Sequence, residues 1–315
     1  MNISLNYYNI SLFLLLKKTI NMKNVKTLLL FASVLLIVAC SSDDDSPSTP
    51  KSTLKITLNG VQPLDGDLTY EGWIMVDGLP VSTGRFNTTS ASTTKNFSIA
   101  TADLEIATAF ILSIEPKSND DPAPSNTKIL NGTFVAGAAT LSINAMVGNF
   151  VNAVSPFSGS FIKATPSDNT GGIDNGNDDY GIWFIQNETT PGLINLPTLA
   201  TGWKYEGWVV FNSGSTPVTT GKFTMASGVD SASPYSGNEP VPAFPGEDFL
   251  SNLPTGVDGN INGLPVVISI EPDVPGDATT PFFLKPISGT EGVNGNALSV
   301  TTNINALING TAQIN

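Results

Sequence analysis

The sequence predicts an all-β protein carrying two tandem β-sandwich modules, and three observations lead there. The first is a repeat: Tyr70-Glu71-Gly72-Trp73 returns as Tyr205-Glu206-Gly207-Trp208, and Ser113-Ile114-Glu115-Pro116 returns letter for letter as Ser269-Ile270-Glu271-Pro272. Between those landmarks Ser82-Thr83-Gly84-Arg85-Phe86 matches Thr219-Thr220-Gly221-Lys222-Phe223. Three landmarks in the same order mark a duplicated module. The second is periodicity, since apolar residues alternate with polar ones and no helix-length window holds a 3.6-residue stripe free of Gly or Pro. The third is composition: 29 Gly and 22 Pro, with only 13% charged residues, describe strands joined by turns.

The amino end precedes both modules. Lys23 and Lys26 lead into the apolar run Leu28–Ala39, which stops at Cys40. A basic start, a short apolar stretch and small residues before a break form a secretory signal over residues 1–39. The run is shorter than the roughly 20 residues a membrane-spanning helix needs. A second apolar patch, Leu12–Leu16, lies upstream of Lys17-Lys18, which places the expected true start at Met22. Ile37-Val38-Ala39-Cys40 resembles the lipobox of bacterial lipoproteins, which makes Cys40 the expected lipid anchor; the competing reading is a buried core cysteine. Residues 40–52, rich in Ser, Asp and Pro, read as a flexible tether. Ser41-Ser42-Asp43-Asp44-Asp45 is similar to the export signal of Bacteroidetes-type lipoproteins. That implies an outer-membrane lipoprotein displayed at the cell surface, with the periplasmic face as the alternative.

The first module is expected over 53–166, with strands near Thr53–Leu58, Thr69–Val76, Gly84–Phe86, Asn96–Ala100, Phe110–Glu115, Thr127–Leu130, Thr140–Ala145 and Gly159–Ala164. Asn59-Gly60, Asp77-Gly78 and Asn131-Gly132 supply turns between them. The second module, 179–315, repeats the order at Gly181–Gln186, Lys204–Phe211, Lys222–Met225, Val266–Glu271, Phe282–Pro286, Ala297–Ile304 and Thr311–Ile314. Gly159–Ile162 aligns with Gly310–Gln313, so each is expected to close its own module. Residues 167–178 then form a Gly/Asn/Asp-rich linker. A longer separation between Phe223 and Ser269 than between Phe86 and Ser113 puts an insertion at 226–263.

Alternation assigns faces. Phe110, Leu112 and Ile114, and likewise Val266, Ile268 and Ile270, are expected to line the core, which turns Glu115 and Glu271 outward. Trp73 and Trp208 are expected in the core as well. Gly72 and Gly207 are bulge points able to turn Glu71 and Glu206 towards solvent.

The inventory of side chains excludes several chemistries. There is no histidine and a single cysteine, so a Ser-His-Asp triad, a Cys-His pair, a Cys/His zinc site and an intramolecular disulfide are all ruled out. The formal charge is −13, and the lysines before Cys40 are balanced by no acid, so the mature part is more acidic still. Such a surface repels phosphate backbones, and no nucleic-acid partner is expected.

At these landmarks the chain resembles the extracytoplasmic carboxy-terminal domain of anti-sigma-K factors. The shared pattern is a Tyr-Glu-x-Trp strand, a Pro-Val-x-x-Gly turn with an aromatic strand, then a hydrophobic strand ending in Glu-Pro and an acidic, Pro-rich loop. Here these are Tyr70–Trp73, Pro80–Phe86, Phe110–Pro116 and Asp120–Pro124, with Tyr205–Trp208, Pro217–Phe223, Val266–Pro272 and Asp277 in the second copy. The resemblance implies an immunoglobulin-like β-sandwich. It does not extend to a cytoplasmic helical domain or a membrane span, so direct sigma-factor binding is not expected.

Four candidate sites remain. The recurring carboxylates Glu71, Glu115, Glu206 and Glu271 are of the type a glycosidase uses, but duplication divides them between modules, and structural roles are the expectation. Asp168, Asp174, Asp178 and Asp179 supply hard oxygens that calcium would accept, in a spacing that does not fit an EF-hand loop; a solvated linker is the competing reading. Tyr235, Phe244 and Phe249 in the insertion, with Trp203 as an exposed ring, make a candidate partner-binding surface, against packing of the rings onto the sheet. Cys40 is the expected lipidation site. The function expected from the sequence is a non-catalytic, lipid-anchored envelope protein that binds a protein or glycan partner, senses, or builds the cell surface. A carbohydrate-active or carbohydrate-binding lipoprotein and a sensor working with a sigma/anti-sigma system are the alternatives.

Overall fold

The computed structural model describes residues 49–118, 121–143, 146–148, 150, 157–275, 277–300, 304 and 307–315. Cys40, the signal segment and most of the tether lie outside these residues. Residues 50–315 form one compact unit. Its described residues are all-β, with one six-residue helix and a few 3₁₀ turns, and no helix among them is long and apolar enough to cross a membrane.

The first repeat contributes β1 (Lys51–Asn59), β2 (Leu68–Val76), β3 (Leu79–Phe86), β4 (Ser92–Ala100), helix α1 (Thr101–Ile106), β5 (Ala109–Pro116), β6 (Lys128–Thr133) and β7 (Ala138–Ser142). Then follow β8 (Gly159–Ser160), β9 (Gly181–Trp183), the small hairpin β10 (Ile185–Asn187) and β11 (Thr190–Pro191), β12 (Trp203–Phe211), β13 (Thr216–Phe223) and β14 (Gly246–Asp248). The chain ends with β15 (Pro265–Pro272), β16 (Ile287–Thr290), β17 (Ala297–Val300) and β18 (Asn309–Ile314). β1 begins at Lys51, inside the segment read as tether.

Pairing runs β3-β2-β5-β6-β7-β18-β1-β4 in one sheet and β13-β12-β15-β16-β17-β8 in the other. An antiparallel bridge from Ile162 to Trp183 carries the second order on from β8 to β9, and β9 pairs with β14. Strand for strand the two orders are equivalent, with β12 in the place of β2 and β15 in the place of β5. The exception is the closing strand. β18, from the end of the chain, lies between β7 and β1, while β8 pairs with β17.

The expectation that each closing strand serves its own repeat is therefore corrected: the two are exchanged. Backbone ladders are indifferent to which part of the chain supplies a strand, and the two closing segments are alike enough for either slot. In the first sheet the edge strands approach each other, with the Phe86 and Phe97 rings 5.9 Å apart.

Other expected elements shift for local reasons. Residues 282–286 are not a strand; the ladder with β15 begins at Ile287, opposite Ile268. The insertion is not merely a loop. It contains β14, which pairs with β9 as β4 pairs with β1, although Gly-Glu-Asp carries no strand propensity.

The apolar cluster takes Tyr70, Ile74, Phe110, Leu112 and Ile114 from one repeat and Tyr205, Val209, Val266, Ile268 and Ile270 from the other. Both repeats share it, and each such side chain contributes about 1.5–3 kcal/mol on burial. The junction is tied by Thr127 Oγ1, which donates to Gly202 O at 3.1 Å, and by Trp203 Nε1, which donates to Lys128 O at 3.1 Å. Gly202 has φ +93 and passes so close to Asn126 that a Cβ would stand 2.5 Å from its carbonyl carbon, so only glycine fits there.

Candidate functional site

β2 and β5, and their counterparts β12 and β15, pair antiparallel so that Trp73 and Ser113, like Trp208 and Ser269, lie on the face opposite the core residues. Trp73 Nε1 donates to Ser113 Oγ at 2.8 Å, and Trp208 Nε1 donates to Ser269 Oγ at 2.8 Å. Each serine hydroxyl then donates to the carboxylate two residues on, Glu115 or Glu271. A relay from indole to hydroxyl to carboxylate thus occurs twice. Trp73 and Trp208 are buried as expected, on the face opposite the contiguous apolar cluster. The expectation for the carboxylates that follow the serines is corrected. Glu115 and Glu271 do not point to solvent: they are 1% and 0% exposed. The Ser-x-Glu spacing puts hydroxyl and carboxylate on one side of a strand, and the following loop folds back to supply further donors, Ser125 N to Glu115 Oε1 at 2.9 Å and Phe282 N to Glu271 Oε1 at 2.8 Å.

The glycines after Glu71 and Glu206 do sit at register shifts, between Gly72 and Trp73 and between Glu206 and Trp208. The carboxylates nonetheless stay buried, because β3 and β13 bring partners to them. Glu71 accepts Ser82 Oγ at 2.5 Å and Arg85 Nε at 2.7 Å. Glu206 accepts Thr219 Oγ1 at 2.6 Å, but Lys222 Nζ stands 3.7 Å from its other oxygen, beyond hydrogen-bond reach.

Here the repeats diverge. In the second, Asp277 joins from the loop after β15, and carboxylate oxygens of Glu206, Glu271 and Asp277 all lie within 4.8 Å of one another. Lys222 Nζ is bonded to Asp277. Glu206 Oε2 and Glu271 Oε2 are buried without a hydrogen-bond partner. Burial pushes the Glu271 carboxyl up to about 8 against the hydrogen bonds from Ser269 and Phe282. It also raises Glu206 and Asp277 above the usual carboxylate range. For Lys222 burial works against the charge, yet the bond to Asp277 and the neighbouring acids outweigh it and raise the ammonium. Three acids thus surround one lysine. Asp277 also lines a cleft of about 560 Å³ between the repeats, with Gln62, Leu64, Asp65, Phe282 and Lys285 on its other walls.

The acids of the linker are engaged one by one. Asp168 accepts Asn177 Nδ2 at 2.8 Å, Asp174 accepts the Gly176 N–H at 2.7 Å, and Asp179 is bonded to Lys163 Nζ at 2.6 Å. That bond holds the Asp179 carboxyl below its ordinary value. They do not converge with Asp178 on one point among the described residues.

Trp203, expected to be exposed, is 3% exposed and packs its ring 5.9 Å from Phe282 at the junction. Phe249 is buried, with its ring 5.4 Å from Phe211 and 6.1 Å from the half-buried Tyr235; Phe244 is half-buried. The insertion is folded onto the sheet through Phe249.

Sequence reasoning named Glu206 and Glu271 without joining them to Lys222 and Asp277. All four occur in the repeated landmarks or just after them, but on three strands and a loop, and only the pairing brings them together. No family model, curated protein or solved structure matches the chain.

Proposed function

We propose that the chain is a non-catalytic lipoprotein of the cell envelope, anchored through Cys40 to the outer membrane and displayed at the surface. Its two repeats are taken as immunoglobulin-like β-sandwich modules related to those of anti-sigma-K factors, presenting a rigid body to a protein or glycan partner. The observation that supports the non-catalytic part is the fate of the first repeat's recurring carboxylates: Glu115 is taken up by the Trp-Ser-Glu relay and the Ser125 N–H, and Glu71 is held by Arg85 and Ser82. A general acid or base must reach a substrate atom, and groups tied into the body of a sheet do not. The anchor rests on the Ile37–Cys40 motif.

The test is metabolic labelling of expressing cells with an alkyne fatty acid, followed by protease shaving of intact cells. Label on the wild type, lost in Cys40→Ser, with release of peptides from 51–315 on shaving, is the expected result. An unlabelled wild-type protein would remove the anchor, and peptides released only after lysis would move the protein to the periplasmic face.

A further inference from the structure

We propose that Glu206, Glu271 and Asp277 form a binding site for a divalent, oxygen-preferring cation of the calcium type in the second repeat. This goes beyond the envelope role and does not depend on it.

Three carboxylates with oxygens within 4.8 Å of one another are hard ligands of the kind calcium takes, its remaining positions being filled by water. An acidic cluster alone is not a site, and two further observations point to a ligand. Glu271 is 0% exposed and Glu206 5% exposed, and each aims an oxygen, Oε2, that accepts no hydrogen bond. A buried carboxylate oxygen left bare is costly unless a cation meets it.

The duplicated copy supplies the control. In the first repeat the guanidinium of Arg85 pairs with Glu71 at 2.7 Å, and Ser125 N reaches both oxygens of Glu115, at 2.9 and 3.2 Å. Neither carboxylate has a bare buried oxygen. The second repeat replaces arginine by Lys222, a single point charge that leaves Glu206 at 3.7 Å, and adds Asp277 as a third acid. Arginine's fixed fork closes a carboxylate pair, while a lysine ammonium on a flexible stem can withdraw. Lys222 is 25% exposed along its side chain, so its stem has a way out. Asp277 faces the inter-repeat cleft, which gives the ion its entry.

The experiment is calorimetric titration of the chelator-treated protein with calcium chloride, with thermal melts in parallel and magnesium chloride as comparison. Saturable calcium binding with a dissociation constant of roughly 10⁻⁴–10⁻³ M, the range of extracellular modules, and a rising melting temperature are expected. Asp277→Asn, which keeps the side chain's shape and removes its charge, should weaken binding at least about tenfold, and Glu71→Gln in the first repeat should leave it unchanged. Lys222→Gln, which removes the competing charge, should tighten it. No heat and no melting shift up to about 10 mM calcium would overturn the proposal. So would binding that survives Asp277→Asn, or a Lys222→Gln protein that binds no more tightly than the wild type.

Discussion

Leu54 on the first strand and Ile314 on the last stand opposite each other in an antiparallel ladder that continues to Asn59 and Asn309. β18 fills the slot between β7 and β1, and its Ala312 is fully buried there. Without it, two strands that now lie inside a sheet become open edges. Removal of residues 309–315 is therefore expected to destroy the cooperative unfolding transition and to expose dye-binding apolar surface. A synthetic peptide of residues 307–315 should restore it. A truncated protein melting at the wild-type temperature would contradict the exchange of strands.

The relay from Trp208 through Ser269 to Glu271 predicts a cost for its middle member. Ser269→Ala leaves a buried indole N–H without its acceptor and takes a donor from the carboxylate, which should cost about 1–3 kcal/mol in urea unfolding. Ser113→Ala should cost a similar amount through the first copy. A loss near zero at both positions would mean that the relay is incidental.

Burial lifts Glu247 from 4.5 to about 7 and Asp230 from 3.8 to about 7, against hydrogen bonds that favour their charged forms. Because the folded state holds these protons more tightly than the unfolded chain, stability is full below about pH 4 and falls as pH rises towards 7. The loss should be on the order of 1 kcal/mol or more. Denaturant midpoints measured from pH 4 to 8 should decline, and Glu247→Gln should flatten the slope. A midpoint that rises across this window would refute the assignment.

A methyl group on Gly207 would stand 2.2 Å from Thr220 Oγ1 and 2.8 Å from the Phe184 ring, and on Gly72 2.4 Å from Thr83 Oγ1. Overpacking of this kind costs about 1–3 kcal/mol. Gly207→Ala and Gly72→Ala should each lower the melting temperature, whereas Gly78→Ala, in open space with a left-handed backbone, should be penalised only by its φ.

Trp73, Trp183, Trp203 and Trp208 are all buried. Native fluorescence should be blue-shifted and poorly quenched by iodide, and both properties should change together on unfolding. Strong quenching of the native protein would place a ring at the surface and revive the reading of Trp203 as part of a partner-binding surface.

Much of this was legible from residues alone. The repeat of Tyr-Glu-Gly-Trp and Ser-Ile-Glu-Pro located two neighbouring inner strands in each copy, β2 with β5 and β12 with β15, and alternation assigned Phe110, Leu112 and Ile114 to the core, where they lie. Alternation misled at Glu115, because it identifies the second face of a strand but not whether a loop covers that face. Gly246-Glu247-Asp248 was unreadable as a strand because its place is set by β9 and not by propensity. The closing strands were recognised yet given to the wrong sheets, since two similar segments fit two similar slots and only long-range geometry decides between them. Asp277 escaped grouping with Glu206 for the same reason.

Asn59 and Asn309 touch across a separation of 250 residues, so β1 must wait for β18. Until β18 is made, β1 and β7 lack the strand that lies between them, and their open edges leave a shortened product exposed to proteolysis. Such a distant closure also slows folding, because chain entropy is lost before the contact is gained. The first sheet is thus sealed only by a strand that emerges after the whole of the second repeat's β-ladder.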